Sequence, residues 1–111
     1  MSSLDLLRGT LDVLILKTLT FGPLHGYGVA RRIGDRSSGE LQVEDAALYQ
    51  ALHRMERKGW LRAEWGVSEN NRRAKYYEVT ISGRSQLRRE ERAIRRYAAA
   101  LFRVLDAEEA L

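Results

Sequence analysis

The sequence predicts a mainly α-helical protein with one small β-hairpin and a long helix at its C-terminus. Three observations carry this expectation. Apolar residues recur at three- and four-residue spacings through most of the chain, they alternate singly from Leu61 to Val67, and no Gly or Pro interrupts Ser85 to Leu111. At 111 residues the chain has the size of one domain with a small core.

Composition bounds the function. Hydrophobic residues make up 44% and charged residues 31%, the balance of a folded domain and not of a disordered basic tail. The absence of cysteine excludes disulfides, thiolate metal sites and cysteine nucleophiles, and fits a reducing cytoplasm. Net charge is +4, and sixteen of the 19 basic residues are arginine, whose flat fork suits phosphate and guanine. No apolar run is long enough to span a membrane, and Asp5 stands where a signal peptide would be basic, so a cytoplasmic protein is expected.

The first helix is expected from about Leu4 to Leu19. Leu4, Leu7, Leu11 and Leu14 form one stripe, and Val13, Ile15, Leu16 and Leu19 make the second half apolar nearly all round. A helix greasy on two sides in so small a protein needs two burial surfaces, and the second is assigned to another subunit. Phe21-Gly22-Pro23 ends it. A second helix runs from near Gly26 to Arg36, with Tyr27, Val29, Ala30 and Ile33 inward and Arg31, Arg32 and Arg36 outward; Ser37-Ser38-Gly39 closes it. A short extended piece over Glu40–Val43 then leads to Asp45, expected as the N-cap of a third helix.

That helix, about Ala46 to Lys58, divides cleanly. Leu48, Ala51, Leu52 and Met55 form the buried face; Ala46, Gln50, His53 and Arg57 lie opposite, flanked by Tyr49 and Arg54, and Gly59 ends the helix. A half-buried strand follows with Leu61, Ala63, Trp65 and Val67 on one face, and its partner runs from about Ala74 to Val79. Thr80 caps the last helix, roughly 37 Å long if it holds about 25 residues, more than a domain of this size covers. Read in sevens, it places Leu87, Ile94 and Leu101 on one seam position and Tyr97 and Val104 on the other, with Glu90 interrupting. The order is that of a winged helix-turn-helix domain over residues 1–80, its first helix also supporting a dimer, followed by a dimerisation helix over 81–111. Leu7, Leu11, Leu87, Ile94, Tyr97, Leu101 and Val104 are the expected dimer contacts.

Catalysis has little to work with. His25 and His53 are the only imidazoles, and neither stands at a zinc or nucleophile–base spacing. Gly22 to Gly28 lacks the Gly-Lys-Ser/Thr ending of a phosphate loop and follows no strand, so these glycines are read as structural. No catalytic residue, metal or cofactor is expected. The third helix offers more: Tyr49, Gln50 and His53 can read base edges, and Arg54 and Arg57 can reach phosphates. At the hairpin tip, Asn71, Arg72, Arg73 and Lys75 put polar donors on an exposed turn that can lie along a DNA backbone. Trp60, Trp65 and Tyr77 are expected as core under the hairpin and not as a base-stacking platform. Tyr97 and Phe102 are read as packing residues, with a pocket for a planar effector between subunits as the alternative.

These residues also carry a family resemblance. Leu11-Asp12, Gly22-Pro23-Leu24-His25-Gly26-Tyr27, Ala47-Leu48-Tyr49, Ala51-Leu52-His53-Arg54-Met55-Glu56, Lys58-Gly59-Trp60-Leu61 and Asn70-Asn71-Arg72-Arg73-Ala74-Lys75-Tyr76-Tyr77 resemble the PadR family of transcriptional regulators over roughly residues 4 to 90. The resemblance, to the smaller subgroup with one C-terminal helix, implies a homodimeric repressor at a near-palindromic operator on double-stranded DNA, released by a small aromatic or drug-like effector. By position, it puts Tyr49, His53 and Arg54 on the recognition helix and Arg72, Arg73 and Lys75 on the wing. Two positions depart from the family pattern: Ala46-Ala47 stands where Gly-Ser or Gly-Thr is common, and Gln50 where proline is common. The first removes a hydroxyl able to bond a phosphate, and the second adds a side chain able to read adenine. The competing expectation is a small-molecule-sensing dimer acting through a protein partner, since winged helices also serve as interaction modules.

Overall fold

The computed structural model describes residues 9–109, and Leu7 of the expected dimer surface lies outside them. Seven elements follow in order: α1 (Thr10–Leu19), β1 (Leu24–His25), α2 (Gly26–Arg36), α3 (Asp45–Arg57), β2 (Leu61–Val67), β3 (Arg73–Val79) and α4 (Ile81–Leu105). The three strands form one antiparallel sheet in the order β1-β3-β2.

Packing begins with α1, where Ile15, Leu16 and Leu19 are buried and the Thr18 hydroxyl donates to the Leu14 carbonyl at 2.7 Å. After the Gly22-Pro23 turn the chain is extended for two residues, and Leu24 and His25 pair with Tyr77 and Tyr76 of β3. The short strand thus precedes α2. The expected extended piece over Glu40–Val43 contributes only a single bridge residue, Leu41, although Leu41 and Val43 do pack against the core. Pro23 disfavours helical backbone at Gly22, which helps to end α1 ahead of this strand.

Helix α2 starts on His25, whose Nδ1 accepts from the Gly28 amide at 3.0 Å, and buries Val29 and Ile33. Tyr27, expected inward, is 66% exposed. It lies two residues from Val29, about 200° round the helix, and cannot share that face. Helix α3 buries Leu48, Ala51, Leu52 and Met55, as its periodicity requires. Its N-cap is Glu44, without a side-chain cap bond, and Asp45 falls one residue inside, where its charge meets the positive end of the helix dipole. The C-terminus closes with the Trp60 amide donating to the Met55 carbonyl and the Gly59 amide to that of Glu56, both at 3.0 Å, around Gly59 at φ +79°. This is a Schellman closure, and the positive φ is why glycine stands there.

The hairpin runs in register from Leu61↔Val79 to Val67↔Arg73. At its base Leu61, Val79 and Tyr77 are buried. The same face continues outward through Trp65, which is 57% exposed and not in the core as expected, and through Val67. Alternation placed these side chains on the right face, but the helices beneath end before the hairpin does. Thr80 caps α4, its hydroxyl accepting from the Gly83 amide at 3.1 Å. Leu87 completes the core, and α4 packs chiefly on α1.

Candidate nucleic-acid interface

Two surfaces converge beside α3. One is its outer face, where Ala46, Ala47, Gln50, His53 and Arg57 are exposed and Tyr49 is partly so. The other is the free half of the hairpin. Between them runs a groove of about 1190 Å³, walled by Tyr49 and His53 on one side and by Trp65, Arg72, Arg73 and Lys75 on the other, with Tyr27 and Arg31 of α2 at its rim.

The position of α3 is set by close fits. The Tyr49 ring lies across the first residue of α2, where a Cβ on Gly26 would stand 2.8 Å from Tyr49 Cε1 and 2.9 Å from its hydroxyl oxygen. Glycine at 26 is what lets the ring lie there. On the opposite flank, the Arg54 guanidinium makes a two-pronged contact with Asp12 of α1, Nη1 to Oδ2 at 2.8 Å and Nη2 to Oδ1 at 2.6 Å. The hydrogen bond to Asp12 raises the affinity of Arg54 for its proton, burial opposes it, and the charges of Asp12 and Glu90 add to it. Arg54 is therefore engaged in joining α3 to α1.

Lys75 is similarly engaged. Its Nζ lies 3.0 Å from Glu56 Oε1 on α3, and its proton is held more tightly than in a free lysine, first because of that bond. Burial pushes the Tyr77 hydroxyl up from its ordinary value, with Lys75 opposing. Thus Arg54 and Lys75, read from the sequence as DNA-facing, spend their charge on contacts that fix α3 to its neighbours. Arg73 lies with its guanidinium 4.6 Å from the Trp65 ring centroid, a cation–π contact that leaves it exposed. The Arg72 amide bonds the Ser68 hydroxyl at 3.3 Å, while its side chain, like that of Arg57, makes no ion pair among the described residues. The turn closes with the Ser68 amide on the Arg72 carbonyl and Asn71 at φ +58°.

The sequence reading missed Trp65, Tyr27 and Arg31 as parts of the groove. No sequence signal marks Trp65, whose alternation gives its face and not its depth; it stands opposite Lys75, two pairs beyond the buried Tyr77. Tyr76 offers no stacking platform, being half-buried with its ring edge-on to His25 at 5.4 Å and its hydroxyl donating to the Val67 carbonyl. On the expected dimer side, Leu11 is half-buried against the core and Leu87 is inside it. Ile94 is half-buried, while Tyr97, Leu101 and Val104 are exposed on the distal part of α4.

A helix with a polar outer face, docked beside a basic hairpin on a small helical core, defines a winged helix-turn-helix protein. The comparisons with known proteins agree. Residues 15–89 match the transcriptional regulator PadR-like family, and the chain belongs to that family. It is a transcriptional regulator and not an enzyme. An uncharacterized protein of Lysinibacillus sphaericus is 31% identical over 83 residues, covering 75% of this chain and 76% of its own length. A PadR family transcriptional regulator from Eggerthella lenta superposes with a TM-score of 0.77 at 29% identity, covering 91% of this chain and 86% of that one. A PadR family transcription regulator from Clostridium difficile gives 0.73 at 27%, covering 87% and 99%. A transcriptional regulator from Clostridium thermocellum gives 0.79 at 24% identity, covering 86% and 93%, a likeness of fold. Among the described residues no helix is long and apolar enough to cross a membrane.

Proposed function

We propose that this PadR-family regulator binds double-stranded DNA as a homodimer, with the outer face of α3 in the major groove and the hairpin tip on the adjoining backbone. The observation that carries this reading is the shared groove, lined by Tyr49 and His53 from α3 and by Arg72, Arg73 and Lys75 from the hairpin, with Gln50 and Arg57 exposed on α3 outside it. Tyr49, Gln50 and His53 read bases, and Arg57, Asn71, Arg72 and Arg73 contact phosphates. Arg54 and Lys75 act as positioning residues that hold α3 through Asp12 and Glu56. Residues 1–80 form the DNA-binding domain and the helix beyond it the dimerisation element, with Ile94, Tyr97, Leu101 and Val104 against a second copy. Two-fold symmetry then dictates a near-palindromic operator. Repression in the cytoplasm, relieved by a small aromatic or drug-like effector, is the regulatory mode this arrangement serves. Selection of bound fragments from genomic DNA tests it. Recovery of one palindromic motif, lost in His53→Ala, supports the reading; recovery of single half-sites, or of no motif, overturns the dimeric reader.

A further inference from the structure

Helix α4 carries seven arginines against two glutamates. Its net +5 exceeds the +4 of the whole chain, so everything outside α4 has a net charge of −1. This one helix therefore carries more positive charge than the chain as a whole.

The arginines are also gathered on one side. At about 100° per residue all of them fall within an arc of roughly 140°, while Leu87, Ile94, Leu101, Tyr97 and Val104 occupy the opposite arc. All seven are exposed. Arg95 pairs with Glu91 at 2.9 Å, and Arg89 bonds Ser85 and Gln86 within its own helix. Arg84, Arg88, Arg92, Arg96 and Arg103 have no ion pair or side-chain hydrogen bond among the described residues. Four of these stand in successive four-residue steps, a spacing at which like charges destabilise a helix. A solvated helix face ordinarily mixes signs; this one repels itself, and among the described residues only the Arg95–Glu91 pair relieves it.

We propose that the arginine arc of α4 is a second nucleic-acid surface, which binds the phosphate backbone of duplex DNA outside the sequence read by α3. The proposal rests on the reading of the protein as a DNA binder. Three features favour DNA as the occupant. Every cation of the arc is arginine and none is lysine, which suits two-pronged contact with phosphodiester oxygens. Four residues of helix rise about 6 Å, so the unpaired stripe presents a regularly spaced row of cations to a backbone that carries one charge per roughly 1.7 Å of duplex axis. The chain's family membership, finally, makes it a transcriptional regulator.

The test compares the parent protein, an Arg88→Gln/Arg92→Gln/Arg96→Gln variant and an Arg72→Ala/Arg73→Ala variant on a long random-sequence duplex across a salt series. Loss of three phosphate contacts should reduce the slope of log affinity against log salt by about 2 to 3 and weaken binding at least tenfold at low salt. The preferred sequence should be unchanged. Relief of the like-charge repulsion should leave the thermal midpoint of the glutamine variant equal to or above that of the parent at low salt, which separates lost binding from lost folding. If the glutamine variant keeps the parental slope while the hairpin variant flattens it, the proposal is overturned and the α3–hairpin reading stands. If the glutamine variant loses binding while the hairpin variant keeps the parental slope, the arc is the DNA surface and the hairpin assignment falls. Absence of duplex binding by the parent overturns both, and binding to phosphatidylglycerol vesicles or polyglutamate that the glutamine variant loses then reassigns the arc.

Discussion

Asp12→Ala should loosen α3 without touching any surface proposed to meet DNA. The Asp12 side chain is 18% exposed and sits at the end of two short, charge-assisted hydrogen bonds from Arg54, which is 40% exposed. A fully exposed pair contributes about 0–1 kcal/mol, and removing one partner of a fully buried pair costs about 3–5 kcal/mol. With Arg54 this open to solvent, the screened value lies nearer the lower range, at about 1.5 kcal/mol. At roughly 4–8 °C per kcal/mol for a domain near this size, the thermal midpoint should fall by about 6–12 °C. A double-mutant cycle with Arg54→Met, which keeps the stem and removes the fork, isolates the pair, and its coupling should be about 1 kcal/mol. Urea unfolding of the four proteins measures it. In DNA binding, Arg54→Met and Asp12→Ala should both weaken the specific site and leave the salt slope unchanged, because neither removes a phosphate contact. Coupling below about 0.3 kcal/mol, or a slope reduced by about one unit in Arg54→Met alone, would refute the positioning role and return Arg54 to the DNA.

Gly83→Ala should be the most damaging single methyl in the chain, because its Cβ would stand 2.1 Å from the Trp60 carbonyl oxygen. The cost should be about 2–3 kcal/mol, read from the urea midpoint; a variant of parental stability contradicts the packing at the start of α4. Trp65→Ala should cost less than about 1 kcal/mol, a small loss for a tryptophan because the side chain is largely exposed. It should nevertheless weaken duplex binding through the freed Arg73, and a stability loss above about 3 kcal/mol would put Trp65 back in the core. Alkaline stability follows from Tyr77 and Lys75, whose folded-state pKa values are both raised above ordinary values of 10.0 and 10.5. A raised value means that stability is fully present below the unfolded pKa and lost as pH climbs through the folded one. The urea midpoint should therefore decline above about pH 10, and Tyr77→Phe should flatten part of that decline; an unchanged decline in that variant excludes Tyr77 as a source.

Much of this geometry was legible because it is local. The division of α3 into buried Leu48, Ala51, Leu52 and Met55 and exposed Gln50, His53 and Arg57 follows from a single period, and Gly59 and Thr80 carry their capping chemistry in the residue itself. The pairs that position α3 were hidden for the opposite reason. Asp12 and Arg54 are 42 residues apart and Lys75 and Glu56 nineteen, so no spacing rule connects them, and a basic side chain in sequence looks equally free in either state. Trp65 was misplaced because alternation gives the face of a strand and not how far the covering helices extend beneath it. The short strand at Leu24–His25 is two residues long, below the length at which alternation can be seen.

At the base of the hairpin, the Gly59 carbonyl accepts the hydroxyls of Thr80 and Ser82 at 2.6 and 3.0 Å, while the Thr80 amide donates to the Trp60 carbonyl at 3.0 Å. The chain between residues 60 and 80 thus leaves and returns at one fastened point, and α3 and α4 are joined without any help from the hairpin's outer half. The outer half is in this sense an interchangeable fitting. Residues 66 to 74 lie outside that fastening, so under the proposed DNA reading the backbone contact can diversify there on a scaffold that does not have to be rebuilt each time.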